Sequence, residues 1–228
     1  MGKALFVTGT GTDVGKTYVT GLLVKKLKEA GLDAGYYKGA LSGAEPDGQG
    51  NLIPGDAAWV KETAGLEDPL EDLVTYVYQE AVSPHLAARH TGVPVEMDRI
   101  RRDFARAKSR HDYLTMEGSG GILCPLRWDG QEKLLLEDVI RELGLGCVIV
   151  AHAGLGTINS TVLTVEYLRR RQIPVRGIFF NHWVPGDPMQ EDNRVMTERL
   201  TEVPVLACIQ AGDRELDMET GKLIQLYR

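Results

Sequence analysis

The stretch from Gly9 to Thr17, G-T-G-T-D-V-G-K-T, joins a short apolar run to a helical one through three glycines, and few folds accommodate such a junction. Ala4, Leu5, Phe6 and Val7 read as a buried strand. From Lys16 onward the apolar positions Val19, Leu22, Leu23, Leu27 and Ala30 recur at helical spacing. A strand emptying into a helix N-terminus aims unpaired backbone N–H groups and the positive end of the helix dipole at one spot. A polyphosphate suits that spot. Gly15 lets the backbone approach, Lys16 places a charge between the terminal phosphates, and Thr17 offers its hydroxyl to Mg²⁺. Asp13, Val14, Gly15, Lys16, Thr17 and Tyr18 are thus the candidate nucleotide-binding run. The spacing departs from G-x-x-x-x-G-K-[ST] in one place: the first glycine falls due at Thr10, and Gly9 lies one residue earlier. A plain glycine turn before a surface lysine is the alternative, and it leaves unexplained why V-G-K-T sits at the strand-to-helix junction.

The rest of the chain alternates short apolar runs with amphipathic helical stretches, the pattern of a mostly parallel α/β sheet with helices on both faces. With 228 residues, 43% of them hydrophobic, residues 1–228 are expected to share one core in a single domain. Gly31 suits the end of the first helix, and residues 34–38 read as a second strand. Residues 39–55, glycine-rich with Pro46 and Pro54, read as a long functional or mobile loop. A helix is expected near Asp56, another from Ser83-Pro84 to Arg89 or His90, and a third over residues 95–109 with Ile100, Phe104 and Ala107 on its apolar face. The arginines on the other faces of that third helix read as solvated surface.

Tyr113 to Met116 form the third strand, followed by Glu117-Gly118-Ser119-Gly120-Gly121. Ligands of such sheets lie beyond the carboxyl ends of the strands, so Glu117 is a candidate to hold Mg²⁺ opposite the phosphate loop. A carboxylate capping a glycine turn is the plainer reading. Strands over residues 147–151 and 175–180 flank a helix carrying Ile158, Val162, Val165 and Leu168, whose terminal Arg169, Arg170 and Arg171 suit the helix dipole. A sixth strand, residues 204–209, and a short last helix close the chain.

The net charge of −6 argues against nucleic acid as a partner. Cys124, Cys147 and Cys208 fit neither a disulfide framework nor a metal site and read as thiols in a reducing compartment. No signal peptide or membrane span is evident, so the sequence is read as cytoplasmic.

Several motifs in order resemble the dethiobiotin synthetase family across nearly the whole chain. They are F-V-T-G-T-x-T-x-V-G-K-T, Lys38 and Ser42 in YKGALSG, Asp56 after the long loop, S-P-H at Ser83 to His85, EGSGG from Glu117, GTIN ending at Asn159, Asn181 after a strand, and TGKLIQL near the end. The resemblance implies a three-layer P-loop fold and an ATP- and Mg²⁺-dependent ring closure of 7,8-diaminopelargonate with CO₂ to dethiobiotin, in biotin biosynthesis. It also implies that Lys16 and Lys38 clamp the carbamate and the transferring phosphoryl, that Thr17, Asp56 and Glu117 serve Mg²⁺, and that Thr12 and Ser42 touch the diamine or carbamate. By the same resemblance Gly118, Ser119 and Gly120 are expected to join the nucleotide site and Asn181 to contact adenine, and the helix start at Gly156, Thr157 and Asn159 is expected to receive the carboxylate of substrate bound by the neighbouring subunit of a homodimer. Read without the family, Thr157 is an N-cap, Lys38 a strand-end lysine and Asn181 a turn residue. Gly11 and Gly39 depart mildly from the family pattern. A-C-I-Q at Ala207 to Gln210 departs more, and bears on the adenine-side loop 210–214. Two other readings stay open: a carboxylate-activating enzyme of the cobyrinate amidation type, and a nucleotide switch like the partition ATPases. The latter carry a lysine where Gly11 stands.

Overall fold

Strand β1 (Lys3–Gly9) runs through the middle of the protein and delivers the chain to α1 (Lys16–Glu29). A computed structural model describes residues 2–227; Met1 and Arg228, the limits of the expected domain, lie outside the described residues. There follow β2 (Ala34–Ser42), a small hairpin of β3 (Glu45–Pro46) and β4 (Leu52–Ile53), α2 (Gly55–Ala64), α3 (Leu70–Leu73), β5 (Val74–Tyr78), α4 (Pro84–Thr91), α5 (Met97–Arg110) and β6 (Tyr113–Glu117). A second hairpin, β7 (Pro125–Trp128) and β8 (Lys133–Leu135), precedes α6 (Leu136–Glu142) and β9 (Cys147–His152). The chain then continues through α7 (Thr157–Arg170), β10 (Val175–Asn181), α8 (Pro188–Thr201), β11 (Val205–Ile209) and α9 (Thr220–Ile224).

The principal sheet has the order β11-β10-β9-β1-β6-β2-β5, and every pair in it is parallel. Its strands are apolar on both sides because both sides are covered. In β1, Leu5 and Val7 join the core beneath α1, α2 and α9, with Leu22, Leu23, Val60 and Leu223. Ala4 and Phe6 face the opposite core with Ile100 and Phe104 of α5, Val139 of α6 and Val165 of α7. The period of two along a strand sends alternate residues to opposite layers. Register then aligns the carboxyl ends: Val7 lies opposite Glu117, and Lys38 opposite Glu117 on the other side.

Three expectations need correction. The sheet has a seventh strand, β5, because the run V-T-Y-V-Y pairs with β2 from Lys38 opposite Val74 to Ser42 opposite Tyr78. That pairing carries β2 to Ser42, so Lys38 is not at a strand end but buried in mid-strand, 3% exposed. What remains of the expected loop holds the β3–β4 hairpin, pinned by Asp47, whose carboxylate accepts from the backbone N–H of Gln49 and Asn51.

Helices α1 and α2 pack closely because Gly21 of α1 presents no side chain to Trp59 of α2: a Cβ at residue 21 would lie 2.2 Å from Trp59 Cζ3. Alanine would gain about 1 kcal/mol of helix propensity, but overpacking at a rigid indole costs about 1–3 kcal/mol. At 2.2 Å the clash belongs in the upper half of that range, so Gly21→Ala is expected to lower the free energy of unfolding by about 1–2 kcal/mol. Urea denaturation measures it, and an unchanged or raised midpoint would contradict this packing.

Candidate functional site

The loop after β1 turns into α1 at Gly15, whose φ of 90° places it in the left-handed region that glycine tolerates. Any other residue would be strained by that φ and would also displace Asn181, whose Nδ2 would lie 2.0 Å from a Cβ at residue 15. That amide donates to the carbonyl of Val14 at 3.1 Å. Asn181, at the end of β10, thus braces the loop from behind. A second glycine turn lies against the first: a Cβ on Gly121 would sit 3.5 Å from Gly11 Cα. Ser119 fixes that turn by donating its hydroxyl to the carbonyl of Ala40 in β2.

These turns and the ends of β2 and β6 enclose a cleft of about 390 Å³. Of the residues singled out in the sequence, Thr12, Asp13, Gly15, Lys16, Thr17, Lys38, Ser42, Asp56, Glu117, Ser119 and Gly120 line it, together with Leu41. At its floor the Thr17 hydroxyl donates to Glu117 Oε1 at 2.8 Å, and the Lys38 ammonium donates to the same oxygen at 2.7 Å. Lys38 also donates to Asp56, which stands in the first turn of α2. The Tyr36 hydroxyl donates to Glu117 Oε2 at 3.0 Å. The Lys16 ammonium folds back onto the carbonyl of Gly11 at 2.8 Å.

The two lysines are electrostatically different. Burial lowers the pKa of Lys16, and repulsion from Lys38 lowers it further, against a smaller pull from Glu117 and Asp56. For Lys38 burial acts in the same downward direction, but Glu117 and Asp56 together outweigh it and hold the ammonium charged. Burial also pushes the thiol of Cys124, beside this cleft, up to about 11 despite both lysines, which makes it a poor nucleophile. Among the described residues no group of three or more His, Cys, Asp or Glu side chains is placed to hold a metal. The two carboxylates that already share the Lys38 ammonium, with the Thr17 hydroxyl bonded to one of them, nevertheless match the donor set of Mg²⁺. That ion takes few protein ligands and keeps water and phosphate oxygens for the rest.

The other singled-out residues do not line the cleft. The Val14 carbonyl is occupied by Asn181, and the Tyr18 hydroxyl donates to the carbonyl of Asp213 in the loop after β11. Gly118 is packed against β1: its N–H donates to the Val7 carbonyl at 2.9 Å, and a Cβ there would lie 2.9 Å from the Phe6 ring. Gly156, with φ of 91°, is itself the N-cap of α7, so the expectation that Thr157 is the cap is corrected. Thr157 is the first residue of the helix, with its hydroxyl against that of Thr161. Asn159 lines a separate hollow of about 540 Å³ with Thr10, Leu163, Tyr167 and Arg170. Tyr36 and Leu41 escaped notice in the sequence. Tyr36 had a usable signal, since it stands two residues before Lys38 and so shares its face of the strand.

A family model described as an AAA domain matches residues 3–215. The ATP-dependent dethiobiotin synthetase BioD of Brachyspira hyodysenteriae is 45% identical over 217 residues, covering 95% of this chain and 96% of its own length. That of Clostridium botulinum is 44% identical over 227 residues, covering 100% of this chain and 99% of its own. Among solved structures, a ParA family ATPase from Chlorobium tepidum superposes with TM-score 0.59 at 12% identity, covering 99% of this chain and 90% of that one. The septum site-determining protein MinD of Pyrococcus horikoshii, complexed with Mg-ADP, does so with TM-score 0.56 at 16% identity, covering 92% and 82%. At such identities these two structures share the fold alone.

Removing one partner of a buried ion pair strands the other charge, at a cost of about 3–5 kcal/mol. Glu117 is the stranded group in Lys38→Met, with its side chain 1% exposed. Chemical denaturation at neutral pH is expected to show a loss near the lower end of that range, because Thr17 and Tyr36 remain as donors. A stability within about 0.5 kcal/mol of the parent, the size expected for an ordinary surface change, would contradict a tightly coupled pair.

Proposed function

The chain belongs to the ATP-dependent dethiobiotin synthetase family, and from that premise we propose that it closes the cyclic urea of dethiobiotin from 7,8-diaminopelargonate and CO₂, with ATP converted to ADP and phosphate. One amine takes up CO₂ as a carbamate. Direct attack by the second amine would have to expel oxide or hydroxide, a leaving group unsuited to neutral pH. A carbamate oxygen therefore attacks the γ-phosphorus and ADP departs. The second amine then attacks the carbamoyl carbon, loses its proton and expels phosphate, closing the ring.

In this reading the protein contributes positioning and charge. The backbone N–H groups of residues 13–18 cradle the phosphates, and Lys16 bridges the terminal ones. Lys38 keeps Glu117 and exchanges Asp56 for the carbamate and the phosphoryl in transfer. Thr17, Asp56 and Glu117 would hold Mg²⁺, which supplies charge neutralisation on the phosphate oxygens. Thr12 and Ser42, on the cleft wall, take the diamine end of the substrate. What carries the proposal is the convergence of two ammonium groups and two carboxylates beside a phosphate-type loop in one cleft.

Asn181 and the loop 210–214 form the adenine side. That loop is tied to α1 by Tyr18 and by Lys25, which donates to the Arg214 carbonyl at 2.7 Å. Gly156, Thr157 and Asn159 serve the carboxylate of substrate bound in the cleft of a second copy, so the working form is a homodimer. Supporting this, Leu123, Leu155 and Leu163 stand exposed around that helix start. Among the described residues no helix is long and apolar enough to cross a membrane. Three unpaired cysteines suit a cytoplasmic enzyme, one domain carrying the whole reaction.

Phosphate release from ATP is expected to rise strongly when the diamine and bicarbonate are added together. Lys16→Ala and Lys38→Ala are each expected to lower that rate by about 10² or more, as for loss of one preorganised charge. Unstimulated phosphate release, or near-normal rates in both variants, would refute the reading. Leu163→Asp is expected to yield a monomer on gel filtration with a raised KM for the diamine. A monomer with normal KM would remove the shared site.

A further inference from the structure

Glu117 is held from two sides by different kinds of donor. Its Oε1 accepts from the hydroxyl of Thr17 and the ammonium of Lys38, both of which face the cleft. Its Oε2 accepts from Tyr36, whose ring is 1% exposed and sealed in the core beneath α1. The register explains the meeting: Tyr36 and Lys38 lie on one face of β2, opposite Thr115 and Glu117 of β6.

A carboxylate turns easily about its last torsion, which has a broad two-fold profile and so presents either oxygen. A donor locked in packed core and bonded to one oxygen removes that freedom. The phenol has one proton, and the carboxylate oxygen at 3.0 Å can only accept it, so Tyr36 is the donor of this bond. Being neutral, it orients the carboxylate and leaves its charge intact, where a second cation would cancel it.

We propose that Tyr36 is a positioning residue for the reaction: by pinning Oε2 of Glu117 in the core, it commits Oε1 to Thr17, Lys38 and the divalent ion that accompanies the nucleotide. The inference rests on the reading of Glu117 as a metal-side acid. Outer-shell partners of this kind are worth about 10- to 100-fold in metal affinity.

Tyr36→Phe deletes the one oxygen. Tyr227→Phe is its control, because Tyr227 is another buried phenol, bonded at 2.7 Å to Thr115 on the same sheet, that does not touch Glu117. Mn²⁺ binding to the ADP-loaded protein, read by the loss of the free-ion EPR signal, is expected to weaken about 10-fold in Tyr36→Phe. The Mg²⁺ concentration for half-maximal turnover should rise alongside, with KM for the diamine unmoved. Tyr227→Phe should lower Tm and leave both metal readouts in place. The proposal is overturned if Tyr36→Phe keeps parental Mn²⁺ affinity while losing Tm as the control does, or if it adds a further loss in a Glu117→Gln background.

Should Tyr36→Phe not fold, 3-fluorotyrosine at position 36 retains the hydroxyl. Its ¹⁹F signal is expected to shift when Mg²⁺ joins the ADP complex, and no shift overturns the proposal. The two readings fail separately. Absence of diamine-stimulated phosphate release sinks the ring-closing function and leaves the Mn²⁺ comparison intact. Parental Mn²⁺ affinity in Glu117→Gln removes the metal-side role of Glu117, and the role of Tyr36 with it.

Discussion

The Lys38–Glu117 contact at the seam of β2 and β6 is the interaction on which the rest of the site depends. Both side chains are almost wholly buried, 4% and 1% exposed, and neither charge could stay there without the other. Asp56 is a looser third member, its side chain 38% exposed, and belongs to α2 instead of the sheet. At the floor of the cleft two ammoniums face two carboxylates, and Asp13 adds a third acid on the loop. A triphosphate brings more negative charge than one divalent ion cancels, and Lys16 and Lys38 are the cations in place to meet the remainder.

The fold puts that contact where it is through parallel pairing. Parallel strands end on one edge, and β1, β6 and β2 are neighbours, so the glycine loop, Glu117 and Lys38 arrive together though far apart in sequence. The MinD and ParA structures share this fold at low sequence identity. Function is settled by what surrounds the loop. Here Gly11 gives its carbonyl to Lys16, and the second lysine comes from β2.

Much of this was legible in the sequence, for reasons that differ by residue. V-G-K-T at a strand-to-helix junction is a local signal with a local cause, as is an acid heading a glycine turn at Glu117. Apolar runs of β1 and β9 announce strands buried on both faces. The edge strand β5 was missed because V-T-Y-V-Y follows directly on α3 with no glycine or proline to separate them. The extension of β2 to Ser42 was hidden for the opposite reason, since glycine-rich residues 39–43 lack strand propensity and are held extended by their partners. Asn181 shows the limit of single positions: a turn residue, a base contact and a brace for Val14 require the same side chain, and only the three-dimensional neighbourhood reveals the brace. Gly156 took the capping position expected of Thr157 because its positive φ is one that threonine adopts only with strain.

In the proposed reaction Thr17, Asp56 and Glu117 form one cation site against a triphosphate held by Lys16. A crystal structure with Mg²⁺ and a non-hydrolysable ATP analogue tests it directly. The ion is expected on the Thr17 hydroxyl and on a carboxylate oxygen of Asp56 or Glu117, with Lys38 turned from Asp56 toward the γ-phosphate. A triphosphate lying away from the Gly15–Thr17 turn, or an ion held without Thr17 and either acid, would contradict it.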